Sequence, residues 1–452
     1  MATVAQPEHT VAARVNRLPM TPVHYKLAIL LCGLFLFELA DLNTFGDAAP
    51  ALIKYMGLNV GDIANATAAM FLGAFLGAWL GGLLSDIKGR KYALMLALVV
   101  YSICSFLNAI AFNVISFEVV RFFTGVGMQA LSVIGMTYIG ELYPKNVRGR
   151  YQALVLALGL LGIPVMAFWS RLMIPLGPNG WRYVFVLGGM GLVLAYAIRA
   201  WLPESPRWLE SKGRVNEANQ VMDDIEARIV RYLGHPLAAP EQEVAVVQAT
   251  RVPVFEIFSS SYRRRTIVLT ILWVFSLLGF YGFQAWIPTL LFAHGFTIVK
   301  SLTFTSIMAL GAAPGALLAW PFIDRFQRRW LILITYILTA IFALLYGIST
   351  SDVGILLFGL AVSLSSQMAV AFLFTYSPEI FPTRVRSTGS GFANGVGRIG
   401  SAVGAIIVGV IFSSLGFVWV FVYIAFVWIV SGLVVGIFGE YTSQRALEDI
   451  SH

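Results

Sequence analysis

Three carboxylates fall inside one apolar stretch of this chain: Leu34-Phe-Leu-Phe-Glu38-Leu-Ala-Asp41-Leu-Asn-Thr-Phe-Gly-Asp47-Ala-Ala-Pro50. On a helix Glu38 and Asp41, three residues apart, share a face, and Asp47 lies about two turns beyond the row of Glu38. A separate apolar stretch holds a lone cation, Arg121, in Val120-Arg-Phe-Phe-Thr-Gly125-Val-Gly127. Charges at such positions cost about 2.5 kcal/mol or more each to insert in a bilayer. A working role therefore outweighs simple pairing with a neighbouring helix for Glu38 and Asp41, while for Asp47 the two readings balance. A nearby guanidinium favours the charged form of a carboxylate and desolvation opposes it, so a group held between the two can take up and release a proton. Asp41 is the expected proton carrier, Arg121 its partner, and Glu38 a second carrier or modulator. Protonation of Asp41 frees Arg121, which couples the proton to whatever else that cation binds.

The second half of the chain offers softer groups. Trp273, Tyr281, Gln284 and Trp286 share one apolar stretch, Gln367 lies in another, and Asn394 with Arg398 in a third. Aromatic walls with a few amides suit a flat or cyclic organic solute. Trp and Tyr also anchor helices at membrane interfaces, so about half of this set serves only that purpose. For Arg398, a contact with a carboxylate or phosphate stands level with a snorkelling anchor. The five histidines are scattered, and Cys32 and Cys104 sit in apolar segments, so no metal site, haem site or disulfide framework is expected. Nothing resembles a phosphate-cradling loop, and no nucleophile, base and metal constellation marks an enzyme or a cofactor site.

The elements that carry these residues follow from composition. Of 452 residues, 58% are hydrophobic and 12% charged, with mean hydropathy +0.79; a soluble domain carries roughly twice that charge fraction. Apolar runs of about 20 residues recur along the whole chain, the length that crosses the hydrocarbon core. They predict an all-α membrane protein with spans at 27–53, 63–84, 92–112, 115–140, 152–175, 181–202, 266–292, 301–323, 330–349, 352–376, 388–413 and 416–438. No removable signal peptide is expected before the first run, since no short apolar core with a small-residue cleavage site precedes it. Basic residues follow every second span: Lys88, Arg90 and Lys91, then Lys145, Arg148 and Arg150, then Arg325, Arg328 and Arg329, then Arg384 and Arg386. The opposite loops at Phe112–Ser116, Ser349–Asp352 and Ser413–Gly416 carry none. The positive-inside rule then makes both termini and the segment 203–265 cytoplasmic. The net charge of +8 is accounted for by these loops and calls for no nucleic acid.

The halves also repeat. A shift of 238 residues lays Gly73, Gly77, Asp86, Arg90, Tyr138, Glu141, Pro144 and Arg148 on Gly311, Gly315, Asp324, Arg328, Tyr376, Glu379, Pro382 and Arg386. Asp41 and Arg121 fall instead on Gly279 and Gly359, so the buried charges of the first half have no counterpart. A parallel six-span repeat resembles the major facilitator superfamily. Gly81-Gly-Leu-Leu-Ser-Asp-Ile-Lys-Gly-Arg-Lys91 resembles that superfamily's signature loop, with Asp324-Arg-Phe-Gln-Arg-Arg329 as its echo. Pro203-Glu-Ser-Pro-Arg-Trp-Leu209 resembles the sugar-porter signature. Tyr376-Ser-Pro-Glu-Ile-Phe-Pro-Thr-Arg-Val-Arg386, with Gly391-Phe-Ala-Asn-Gly-Val-Gly-Arg-Ile-Gly400 after it, resembles the metabolite and organic-acid porters. Glu38-x-x-Asp41, with Gly46 and Pro50 downstream, resembles the Asp-Gly-x-Asp motif of aromatic-acid/proton symporters, with Glu and Leu39 in place of Asp and Gly. Sugar porters similarly face one acid of the first span with an Arg of the fourth, which Arg121 matches.

The resemblance implies the major facilitator fold, twelve transmembrane helices in two pseudo-symmetric six-helix bundles. Residues 27–202 and 266–438 form the bundles, 203–265 a cytoplasmic linker with short helices, and 1–26 and 439–452 the tails. Asp86, Arg90, Glu141, Arg148, Asp324, Arg328, Glu379 and Arg386 are expected to latch the cytoplasmic side by ion pairs, since anchoring by basic residues alone needs no acids. The implied activity is proton-coupled symport of a small organic acid or similar metabolite by alternating access, in a bacterial inner membrane and as a monomer. A sugar or polyol porter, a drug or metabolite exporter, and a non-cycling receptor are the rival expectations.

Overall fold

A computed structural model describes residues 10–144, 147–240, 254–323, 325–381 and 385–441. Twelve apolar helices succeed one another: α1 Pro22–Met56, α2 Val60–Lys88, α3 Arg90–Ala109, α4 Val114–Leu142, α5 Arg148–Leu176, α6 Arg182–Trp201, α7 Arg263–Gln284, α8 Ile298–Phe322, α9 Arg328–Ile348, α10 Asp352–Glu379, α11 Thr388–Leu415 and α12 Phe417–Phe438. At 1.5 Å per residue even the shortest covers a hydrocarbon core of about 30 Å. No strand occurs among the described residues. For orientation, the face carrying residues 10–21 and the linker helices is called the tail face, and the opposite one the far face.

Two helices stop three or more residues short of the hydropathy reading. α3 stops at Ala109 rather than 112, because Asn113 is taken up by the next helix: its side chain accepts from Ser116 N and Ser116 Oγ accepts from Asn113 N. α7 does not run on to 292 but breaks at Ala285–Trp286, and a short helix resumes over Ile287–Ala293. Pro288 lacks the N–H that a continuous helix would donate to Gln284 O, so the chain re-starts with proline in its first turn.

Each bundle is drawn together by helices that approach without side chains between them. Gly73 and Gly77 of α2 lie against the carbonyls of Phe122 and Val126 on α4, and a Cβ on either would overlap them. Gly315 of α8 lies in the same way against the carbonyl of Leu364 on α10, and Gly311 faces the Leu360 side chain, which a Cβ there would approach to 3.1 Å. All four pairings obey the 238-residue shift, so the repeat is one of packing as well as of sequence.

Outside the spans, Val215–Leu233 buries Ala218, Met222, Ile225 and Ile229 on one face. A short helix, Val11–Asn16, docks beside it with Val11 and Val15 buried. Arg14 reaches Asp223 at 2.5 Å and Glu226 at 3.0 Å, and Arg17 reaches Glu226 at 2.9 Å. Burial opposes the charge of Glu226, but hydrogen bonds from Arg14 and Arg17 prevail and hold its carboxyl below the usual range.

Two tests follow from this packing. Gly77→Ala forces α2 from α4 and should lower thermal stability in detergent by about 1–3 kcal/mol. Gly82→Ala, whose Cβ meets nothing within 4 Å, should leave it unchanged. Because the Glu226 carboxyl is depressed in the folded protein, its anchoring of Val11–Asn16 is complete above the ordinary value of 4.5 and fades as pH falls below it. Hydrogen exchange of residues 11–16 should therefore accelerate on acidification, and Glu226→Gln should remove that dependence.

Candidate functional site

The two bundles meet along a seam of α1 with the short helix Ile287–Ala293, α2 with α11 and α5 with α8. Toward the far face, Gly46 of α1 abuts Ala285 at the α7 break, and Gly409 of α11 abuts Ala64 of α2. There too Arg171 Nε of α5 donates to Thr303 Oγ1 of α8 at 2.5 Å. At mid-depth Ile163 and Ala167 pack on Ala309 and Ala312, where α5 and α8 are both interrupted, at Leu160–Leu161 and Leu310–Gly311. Every one of these contacts lies at mid-depth or beyond it toward the far face.

Glu38 looks across that seam. It is 6% exposed, and its Oε1 accepts from Ser132 Oγ of α4 at 2.6 Å while Oε2 has no hydrogen-bond partner. The opposing charge is Arg398 of α11, close enough to act on Glu38 without an ion pair. Arg398 Nη1 donates to Tyr281 Oη at 2.8 Å, and its Nε is buried without a partner. The ring of Tyr281 rests on Phe71 of α2, with centroids 4.5 Å apart. Thus α1, α2, α4, α7 and α11 each supply one of these side chains from the two sides of the seam.

Asp41 points elsewhere. Fully buried, its Oδ1 accepts from Ser105 Oγ of α3 at 2.6 Å, and Gly188 of α6 leaves the space the carboxylate fills. The expected direct partnership with Arg121 is not formed, because the carboxylate is turned into the α1–α3–α6 junction. Thr44 stands between them: its Oγ1 donates to Asp41 O at 2.8 Å and accepts from Arg121 Nη1 at 3.4 Å. Arg121 also meets Met70 Sδ and lies 5.2 Å from the Phe45 ring centroid, and its charge still acts on Asp41. Asp47 accepts from Ser170 Oγ of α5 at 3.0 Å, one residue from Arg171.

The other expected solute contacts divide. Trp273 is buried inside the second bundle, its Nε1 donating to Ser377 Oγ at 2.9 Å, and Trp286 packs near Gly409 in the far-face contact. Gln367 is buried behind Gly315 on α8. Gln284 and Asn394 are half-buried, and open space surrounds the neighbouring Gly391 and Gly395.

The tail-face charges close within each bundle instead of between them. Arg90 holds Glu141 through Nε and Nη2 at 2.9 and 2.7 Å and Asp86 through Nη1 at 3.0 Å. Arg328 holds Glu379 at 3.0 Å in the other half, the same pairing under the 238-residue shift. Arg148 is exposed at the start of α5. Asp324, Lys145, Arg384 and the side chain of Arg386 lie outside the described residues. Among the described residues no ion pair joins the two bundles, so the expected latch is here a brace inside each one. The Pro203–Leu209 run completes the first brace: Glu204 accepts from Arg90 N at 2.8 Å, Ser205 Oγ donates to Glu141 at 2.5 Å, and Trp208 Nε1 donates to Asp86 O at 2.9 Å.

Sequence reasoning passed over Ser105, Ser132 and Gly188. Tyr101, Ser105 and Asn108 repeat at helical spacing in an otherwise apolar run, a polar stripe on the face that α3 turns inward, where Tyr101 meets α6, Ser105 meets α1 and Asn108 meets α4. Gly188 carried no comparable signal.

Comparison with known proteins places this geometry. The sugar (and other) transporter family matches residues 50–452. YyaJ of Bacillus subtilis (strain 168), named for metabolite transport, is 39% identical over 98% of both chains. The niacin transporter NiaP of Acinetobacter baylyi is 29% identical over 97% of this chain and 99% of its own. The 4-hydroxybenzoate transporter PcaK of Pseudomonas aeruginosa is 30% identical over 87% and 88%. The solved structure of a D-xylose-proton symporter superposes with a TM-score of 0.74 at 18% identity, over 94% of this chain and 99% of that one. With twelve apolar spans, a packing repeat and this match, the chain belongs to the sugar (and other) transporter family of the major facilitator superfamily and is a multi-pass membrane transporter, not an enzyme.

Proposed function

We propose that the protein is a proton-coupled symporter that imports a small aromatic or similar organic acid by alternating access. The observation that carries this reading is the facing of Glu38 and Arg398 across the seam, each with one buried polar atom unsatisfied. A carboxylate solute meeting Arg398 and Tyr281 gives the guanidinium a full counter-charge, and a bidentate pair is the geometry a guanidinium favours. Two anions cannot share that cation cheaply, so solute binding favours a protonated Glu38. Asp41, within the electrostatic reach of Arg121, is the main proton carrier, and Glu38 passes its state to the solute. Tyr281 and Phe71 supply a flat aromatic wall, which suits the ring acids for which the relatives NiaP and PcaK are named.

The basic loops and both termini face the cytoplasm of a bacterial cell, the linker helices with them. The tail face is then the inner face, and a seam closed from mid-depth outward is the inward-facing stage of the cycle. One chain supplies both bundles, so a monomer suffices for transport.

Proteoliposomes with an acidic exterior test the proposal. They should concentrate labelled 4-hydroxybenzoate or nicotinate, and a protonophore should abolish that accumulation; equal accumulation without a proton gradient overturns it. Asp41→Asn should cut gradient-driven accumulation at least tenfold while solute exchange persists. Arg398→Lys should raise KM about tenfold with kcat largely kept, since a point charge replaces a fork. If Arg398→Ala transports like the parent, or xylose is preferred over both acids, the organic-acid assignment falls.

A further inference from the structure

The carboxylate of Asp41 occupies a compartment separate from the solute seam, and three helices build it. From α3, Ser105 Oγ lies 2.6 Å from Asp41 Oδ1 and 3.1 Å from Phe185 O of α6. From α6, Gly188 contributes the absence of a side chain. A Cβ there would lie far inside van der Waals distance of Asp41 Oδ1 and 2.6 Å from Ser105 Oγ. Tyr101 Oη, one turn from Ser105, donates to the Gly188 carbonyl at 3.4 Å and fixes that stretch of α6 against α3. Asp41 Oδ2 has no hydrogen-bond partner although it is fully buried. The titratable groups around it are Tyr101 and Cys104 of α3, Arg121 of α4 and, on its own helix, Glu38. The α6 residue against the carboxylate is Gly188, which has no group to titrate.

The other bundle gives an internal comparison. The residue equivalent to Asp41 is Gly279 of α7, and the space beside it is taken by Trp428 of α12, the counterpart of α6. One junction thus receives a carboxylate from the first helix into a gap in the sixth. Its counterpart receives an indole from the last helix into a gap in the first. Generic helix packing would not demand a gap at Gly188 aimed at one carboxylate oxygen.

We infer that Gly188 and Ser105 are positioning residues for proton coupling: together they hold the Asp41 carboxylate in the α1–α3–α6 junction, away from the solute. This rests on the proposed role of Asp41 as proton carrier. A carboxylate displaced from this receptacle turns toward the seam, where its state tracks the solute pocket instead of the packing of α1 on α6. Coupling then fails while the solute path stays open.

The test uses the full-length protein with Ser105→Ala, Gly188→Ala and, as the assigning variant, Asp41→Asn. Infrared difference spectra between acid and neutral pH in detergent should contain a protonated carboxyl band that Asp41→Asn removes. That band should move in frequency in both Ser105→Ala and Gly188→Ala. In proteoliposomes, both variants should lose at least fivefold in gradient-driven 4-hydroxybenzoate accumulation while exchange stays within twofold of the parent. Ser105→Ala only removes an atom, so it decides the matter alone if the alanine at 188 does not fold. A band that Asp41→Asn removes but Ser105→Ala leaves in place overturns the receptacle, as does an equal fall in accumulation and exchange. If no band disappears in Asp41→Asn, or that variant still concentrates solute, the proton-carrier reading itself is at fault.

Discussion

A charge at the depth of a bilayer core must be met by a counter-charge, a set of dipoles or a proton, and α1 carries three such groups. The arrangement of the first bundle answers that requirement residue by residue. Ser132 of α4 turns to Glu38, Ser105 of α3 to Asp41, and Ser170 of α5 to Asp47. Each hydroxyl satisfies one oxygen, and for Glu38 and Asp41 the second oxygen is left without a hydrogen bond. A hydroxyl serves either protonation state, since it can donate to a carboxylate or accept from an acid. A fixed lysine or arginine in its place would hold one state only.

The same constraint separates scaffold from site. Where the halves agree, the agreement is steric or concerns the tail face. Gly77 on Val126 and Gly315 on Leu364 bring helix backbones together, and Arg90 with Glu141 and Arg328 with Glu379 tie the α2–α3 and α8–α9 turns to the ends of α4 and α10. Where they differ, a buried ionic group is present on one side alone. A packing repeat can be copied whole because it needs only shape. A buried carboxylate needs its own donors and its own gap, which the second bundle replaces with Trp428.

Much of this was legible in the chain because lipid reduces the problem to one dimension. Length and hydropathy fix the spans to within a few residues, and the 238-residue shift anticipates which glycines and ion pairs correspond. The α7 break was written in Trp286-Ile-Pro288 but hidden by the apolar run around it. What spacing alone did not reveal was direction. Residues three apart on a helix are offset by about 60°, which groups Glu38 and Asp41 on one face. On α1 that angle is enough to send one carboxylate into the seam and the other into the junction behind it. Which neighbour stands on either side of that divide is a property of helix packing, and Gly188 shows it best. A residue that matters by what it lacks leaves no chemical mark in the sequence.

The division between the two acids bears on how a proton could move a bundle. Glu38 faces Arg398, so its charge acts across the seam, directly on the proposed solute pocket. Asp41 faces α3 and α6, so its charge acts first on the fit of three helices within one bundle. A neutral carboxyl in that junction differs from a charged one in what it asks of Ser105 and in its pull on Arg121, which stands on α4 behind Thr44. Any change there passes along α1 to Glu38, one turn away, and to Gly46, where α1 touches Ala285 at the break in α7. The second bundle, with an indole wedged into the equivalent place, has no charge to alter there. Under the proposed proton coupling, rearrangement would originate in the first bundle and reach the second at the break that follows α7.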